Sequence, residues 1–130
     1  TVNRALELAR GDFICHCDDD DEFLPDKVEK LVKFICAEKA HFVWHPFFYE
    51  GEDDKWSVNP APALACGNVT TSVMFYHSWL KRVPWDINAW RFGEPGDWNR
   101  VRRIKYIGIE ALRYSEPLLR HYRERNQKQS

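Results

Sequence analysis

The chain has 130 residues, room for one domain, and is 44% hydrophobic with 15% aromatic residues, so it can bury a core. Charged residues make up 30% and the net charge is -1. That balance excludes the basic surplus of a dedicated nucleic-acid binder and the charge-rich, apolar-poor composition of a disordered chain.

Val2, Ala5, Leu6 and Ala9 recur at helical spacing, and Gly11 follows as a stop. The chain thus opens inside a helical pattern without an initial Met; no signal peptide is visible in the given residues, and the pattern implies that residues before Thr1, with any targeting information they carried, are missing. Residues 13–17 are short, mostly apolar and bounded by Gly11 and a run of acids, which predicts a buried strand. A second helix begins at Pro25, whose fixed φ suits a first turn, with Asp26 and Glu29 favouring its N-terminal end. Its expected core stripe is Leu24, Val28, Leu31, Val32 and Ile35. Residues 42–49 are rich in aromatics and predict one strand, with a turn at 51–54 and a returning strand at 55–58. Asn59-Pro60-Ala61-Pro62 marks a loop. Further strands are expected at 70–76, 109–114 and 118–122, with a short helix at 78–82. A long loop at 84–96 carries Trp85, Trp90 and Phe92, and loops of that length are often functional. A helix at 97–106 has Trp98, Val101 and Ile104 as its inner face and ends at Gly108. The polar tail, residues 123–130, is expected to fray.

Helix, strand, acidic turn and helix in succession imply a parallel α/β sheet, in which ligands sit at the carboxyl ends of the strands. The run Asp18-Asp19-Asp20-Asp21-Glu22 falls at that place. Gathering five carboxyl groups is repulsive, and a divalent cation relieves it; Mg²⁺ and Mn²⁺ take carboxylate oxygens together with substrate phosphates. On an extended segment alternate residues share a side, so Asp18 and Asp20 would face one ligand and Asp19 another direction. A solvated acidic turn is the plain alternative. An EF-hand register exists, but Phe23 stands where that loop requires glycine. Cys15, Cys17, Cys36 and Cys66 include no C-x-x-C pair, which fits a reduced, cytosolic protein. A zinc site from Cys15, His16 and Cys17 is disfavoured because neighbours on a strand point to opposite faces.

Two stretches carry a resemblance. Asn3 to Ile14 follows the pattern N-x-A-x-x-x-A-x-G-(D/E)-(Y/F)-I, and Cys17 to Val28 follows L-D-x-D-D-x-(W/F)-x-P-x-(K/R)-(L/V). Together they resemble family 2 glycosyltransferases. The resemblance implies an α/β fold of the GT-A type, a sandwich with a mostly parallel central sheet. It also implies that the family's opening strands, which hold the nucleotide base, are absent from this sequence. The chain is then a single partial domain, with the DxD-bearing helix-strand-helix at 1–40 and an acceptor-side region at 41–130. By resemblance Asp18-Asp19-Asp20 is the DxD motif. Asp20 is the main metal ligand, Asp18 contacts the donor or the metal, and Asp19 and Asp21 assist donor binding. His121, near the C-terminus, is a candidate third metal ligand, and Tyr122-Arg123 resembles the family's Y-R ending.

An inverting transfer needs a base for the acceptor hydroxyl. Gly93 to Val101 resembles the family's second motif, an E-D pair before a helix. Asp97 matches the aspartate and is the candidate catalytic base, with a helix N-cap as the plain alternative. Gly96 stands where the family has glutamate, and Glu94 is a nearby substitute. Sugars present apolar C–H faces to aromatic rings, so Trp85 and Trp90 are candidate acceptor-binding residues, or else core. Asn68, in a segment resembling the strand beneath the acceptor site, is a third. Arg100, Arg102 and Arg103 are candidate phosphate contacts or a solvated basic face.

The function implied is metal-dependent, inverting hexosyl transfer, as in polysaccharide biosynthesis. The sugar would pass from a nucleotide-diphosphate donor to a saccharide, lipid-linked or protein acceptor. The cofactor would be Mn²⁺ or Mg²⁺, and the setting cytoplasmic, including the inner face of a membrane. Two alternatives stand beside it. A nucleotidyltransferase would show a glycine-rich basic phosphate loop, and none is present. A non-catalytic remnant would act as a binding module.

Overall fold

The computed structural model describes residues 3–4, 11–51, 53, 55–58, 70–86 and 88–122. Among the described residues eight short strands form two sheets. The first contains β1 (Phe13–Cys15), β3 (Phe42–Trp44), β6 (Met74–His77) and β7 (Ala111–Arg113), in the order β1-β6-β3-β7. The second contains β2 (Asp21–Phe23), β4 (Phe48–Glu50), β5 (Trp56–Val58) and β8 (Leu119–His121), in the order β2-β8-β4-β5. The helices α1 (Lys27–Ala37) and α2 (Gly96–Tyr106) each have 11 residues.

The first sheet sits between the two helices, and the period of two along its strands divides the core. Val43 and Phe75 point to one side, where Leu31 and Ile35 of α1 meet them with Ala40 and Leu118. Phe42, Trp44, Met74 and Tyr76 point to the other side, against Val101 and Ile104 of α2 and Leu80. Every one of these strand residues is at most 3% exposed.

The molecule is α/β, as the alternation of elements predicts, but both sheets are mixed. The expected mostly parallel central sheet is not seen as such: β3 and β7 pair in parallel, while β6 runs antiparallel to both β1 and β3. β1, β3 and β7 therefore share a direction with β6 inserted against it. In the second sheet β4 and β8 are parallel and the outer pairings antiparallel.

Three elements differ from expectation for identifiable reasons. Residues 42–49 form two strands, because Pro46 lacks the N–H that a continuing ladder needs. The chain leaves the first sheet at Trp44 and enters the second at Phe48. The acid run includes a strand, β2, held by β8 from the far end of the sequence. On α1, Val28 is 49% exposed rather than core, and Lys27 is fully buried in its stead. The helix starts two residues past Pro25, which turns the 27/31/35 face inward. Residues 78–82 and 89–92 form 3-10 turns, and Gly108, at φ 94°, follows α2 in a conformation that favours glycine. The expected helix at 2–9, apart from helical Asn3 and Arg4, the loop at 59–62, Asn68 and the tail lie outside the described residues. No helix among the described residues is long and apolar enough to cross a membrane.

Candidate functional site

The acid run leaves β1 and reverses in a tight turn: the Asp21 N–H donates to the Asp18 carbonyl at 3.1 Å, with Asp19 and Asp20 at the corner. The segment is thus a turn rather than the extended stretch that alternation assumed, so sequence spacing does not set which carboxylates converge. The turn is fixed on two sides. The Asp18 N–H donates to Ser72 Oγ at 2.9 Å, and the Tyr122 N–H donates to the Asp20 carbonyl at 3.0 Å. Ser72 is itself fully buried, and its carbonyl accepts from the Lys27 ammonium. That ammonium also lies 3.7 Å from the centre of the Phe23 ring. Burial lowers the Lys27 pKa from 10.5 to about 8.

Antiparallel pairing of β2 with β8 sets Asp21 directly opposite His121. His121 Nδ1 and Asp21 Oδ1 are 2.6 Å apart, and the Asp21 side chain is only 1% exposed. The other Asp21 oxygen, Oδ2, is buried without a hydrogen-bond partner. Asp20, Asp21 and His121 each offer one ligand atom within 4.8 Å of the others. The predicted metal set of Asp20, Asp18 and His121 is therefore placed with Asp20 and His121 together and Asp21 beside them. Asp18 stands at the edge of this group: burial, then the charges of Asp21 and Asp20, push its carboxyl above its ordinary value, and a Ser72 hydrogen bond opposes them. Two carboxylates, one of them with an orphaned buried oxygen, and an imidazole suit a divalent cation, which would supply the missing partner. Glu22 points the other way, pairing with Arg120 at 3.0 Å.

Asp97 lies in the first turn of α2, one residue inside it. The N-cap is Pro95, which makes no side-chain cap bond. Asp97 Oδ1 accepts from the Trp98 N–H at 2.7 Å. Burial raises the Asp97 pKa, against the pull of the Trp98 and Asp97 backbone N–H groups. Glu94 is committed elsewhere: Arg102 holds both its oxygens at 3.0 Å and Asn99 Nδ2 donates to one of them.

Trp85 connects the two acidic regions. Its ring meets His16 edge-on at 5.0 Å, next to the acid turn. It also faces Gly96 at the start of α2, where a β-carbon would sit 3.7 Å from Trp85 Cδ1. Trp85 is 8% exposed, and Asn3 grips its backbone by two hydrogen bonds of 2.9 and 2.8 Å. Trp90 is 70% exposed. Arg100, a candidate phosphate contact, is fully buried: its Cζ lies 4.0 Å from the Trp85 ring and 4.6 Å from the Tyr76 ring. Its guanidinium donates to the Val83 and Leu80 carbonyls. Arg103 donates to the Pro84 carbonyl at 2.6 Å. His16 hydrogen-bonds the Tyr76 hydroxyl at 2.7 Å.

Sequence reasoning did not give Ser72, Lys27 and Arg100 their places in this framework. Lys27 occupies the basic position of the motif after Pro25, Ser72 lies in the segment resembling the strand beneath the acceptor site, and Arg100 was a candidate phosphate contact; none of these signals told of burial. A family model described as Glycosyl transferase family 2 matches residues 1–126. No curated protein matches the chain.

Proposed function

The chain belongs to glycosyl transferase family 2, and from that premise we propose that it moves a hexose from a nucleotide-diphosphate donor to an acceptor hydroxyl with inversion. The observation that carries this reading is the convergence of Asp20, Asp21 and His121 within 4.8 Å around a buried, unpartnered carboxylate oxygen. These three residues would hold the cation, with Asp18 and Asp19 at its donor side. An imidazole among the ligands favours Mn²⁺ over Mg²⁺, which keeps to oxygen ligands and water. When bound, the cation offsets the charge that develops on the departing diphosphate.

Asp97 acts as the base. It accepts the proton of the acceptor hydroxyl as that oxygen forms its bond to the anomeric carbon. The bond from that carbon to the diphosphate oxygen breaks, and the diphosphate leaves with the electron pair. A carboxylate with a raised pKa is a stronger base than an ordinary one, and burial at Asp97 works in that direction. The buried Trp85 holds the acid turn and Asp97 in fixed relation, while the open ring of Trp90, with Asn68, is assigned to the acceptor.

The test is thermal unfolding with Mn²⁺ or Mg²⁺ and a panel of UDP-, GDP- and dTDP-sugars, alone and combined. The melting temperature should rise most with metal and a matching donor together, and Asp20→Ala should abolish that rise. Absence of any shift with every donor and either metal overturns the proposal.

A further inference from the structure

A second surface, apart from the acid turn, has its own chemistry. Residues 78–107 hold seven Lys and Arg against three Asp and Glu, in a chain whose net charge is -1; with Arg100 buried, six of these cations are left for the surface. Side chains from this stretch line a cleft of about 370 Å³: Arg82, Val83, Arg102, Arg103, Tyr106 and Ile107. Tyr106 and Ile107, in the lining of this cleft, are 89% and 54% exposed, and Phe92, on the turn that packs against α2, is 83% exposed. Such groups are costly to leave in water without a partner, and among the described residues the four most exposed large apolar side chains, Tyr106, Phe92, Trp90 and Ile107, all belong to this basic stretch.

The three segments that carry these residues form one body. Arg103 ties α2 to the loop after Arg82 through the Pro84 carbonyl. Arg102 and Asn99 tie α2 to Glu94, whose N–H donates to the Ala89 carbonyl of the turn bearing Phe92. Within the stretch Glu94 pairs with Arg102, while Asp86 and Asp97 accept from the Asn88 and Trp98 backbone N–H groups. Among the described residues no carboxylate pairs with Arg82, Arg103 or Lys105.

We propose that this surface docks the protein on an anionic lipid bilayer, with Phe92, Tyr106 and Ile107 entering the headgroup boundary and Arg82, Arg103 and Lys105 facing lipid phosphates. Charge complementarity selects an anionic partner. The exposed apolar groups select a bilayer over a nucleic acid or a free phosphate, since only the bilayer offers apolar depth beneath its phosphates.

Sedimentation with vesicles of phosphatidylcholine, with and without phosphatidylglycerol, tests this on the whole chain. Binding is expected only with phosphatidylglycerol present, and it should fall steeply as salt rises. Phe92→Ser with Tyr106→Ser, and separately Arg82→Glu with Lys105→Glu, should each weaken it by about tenfold or more. All four positions lie outside the proposed catalytic groups, so the donor- and Mn²⁺-dependent rise in melting temperature should survive in both variants. No binding to either vesicle, equal binding to both, or undiminished binding by both variants overturns the proposal. So does retention on a nucleic-acid column without vesicle binding. None of these outcomes touches the sugar-transfer reading.

Discussion

Asp97 and His16 show how burial tunes single residues around the proposed site. If Asp97 is the base, Asp97→Asn should lower turnover by about 10²- to 10⁴-fold. The donor-dependent thermal shift should stay intact, because the cation ligands are elsewhere; product formation under saturating donor measures this. Since burial raises the Asp97 pKa, the acid limb of the rate profile should lie above the ordinary aspartate range. His16 moves the other way. Burial, then the charges of Arg100 and Lys27, press its pKa from 6.5 to about 4. The folded chain keeps the ring neutral while the unfolded chain protonates it, so between those two pH values the unfolded state binds more protons. Stability must then fall as pH drops from 6.5 to about 4. The loss from His16 is on the order of 3 kcal/mol. His45, lowered to about 3, adds in the same sense. The raised carboxyls of Asp18 and Asp97 oppose it at the acid end. Urea titrations across this window should show the decline, and His16→Asn should make it shallower.

At the scale of elements, the pairing of β2 with β8 does the assembling. Asp21 and His121 are 100 positions apart in sequence, and one antiparallel register brings them to 2.6 Å. The rim of the second sheet is thus where the proposed cation site is made. Helix α2 is anchored by a cation instead of by apolar contact alone. Arg100 fills the space between Trp85 and Tyr76 and satisfies two loop carbonyls, at 2.8 and 3.1 Å. Arg100→Ala would leave those carbonyls unpaired and open a cavity, at a cost of about 3 kcal/mol or more. The shift in the urea midpoint measures it. Arg100→Lys should recover little of this, because an ammonium lacks the planar fork that reaches both carbonyls while stacking on rings.

On the scale of the whole molecule, the proposed cation site would couple stability to ligand binding at the acid turn. The carboxylates there, fixed by the Asp18 N–H bond to Ser72 and by the β8 ladder, would be relieved of mutual repulsion by a bound cation. Mn²⁺ with donor at about 100 times its dissociation constant should add about 2.7 kcal/mol to the folded state. Chelation by EDTA should return the melting temperature to its starting value, and a melting temperature indifferent to EDTA in the presence of Mn²⁺ and donor would count against the cation site.

The sequence by itself determined the α/β class, the family, the positions of α1, α2 and most strands, and the acid run as the place to look. These are local properties. Periodicity, a proline at a helix start, a glycine at its end and a contiguous motif are all written within a few residues of one another. Tertiary structure alone decided which carboxylates converge, since that depends on a strand register closed across 100 positions. It also decided that the run 42–50 is split between two sheets, because Pro46 breaks a ladder only once there are neighbouring strands to pair with. In the sequence Lys27 is only the basic position of a motif and Arg100 a phosphate contact or part of a solvated face; packing surrounds them with aromatic rings and carbonyls. Burial of a charged group depends on partners that arrive from distant parts of the chain, and no local pattern encodes them.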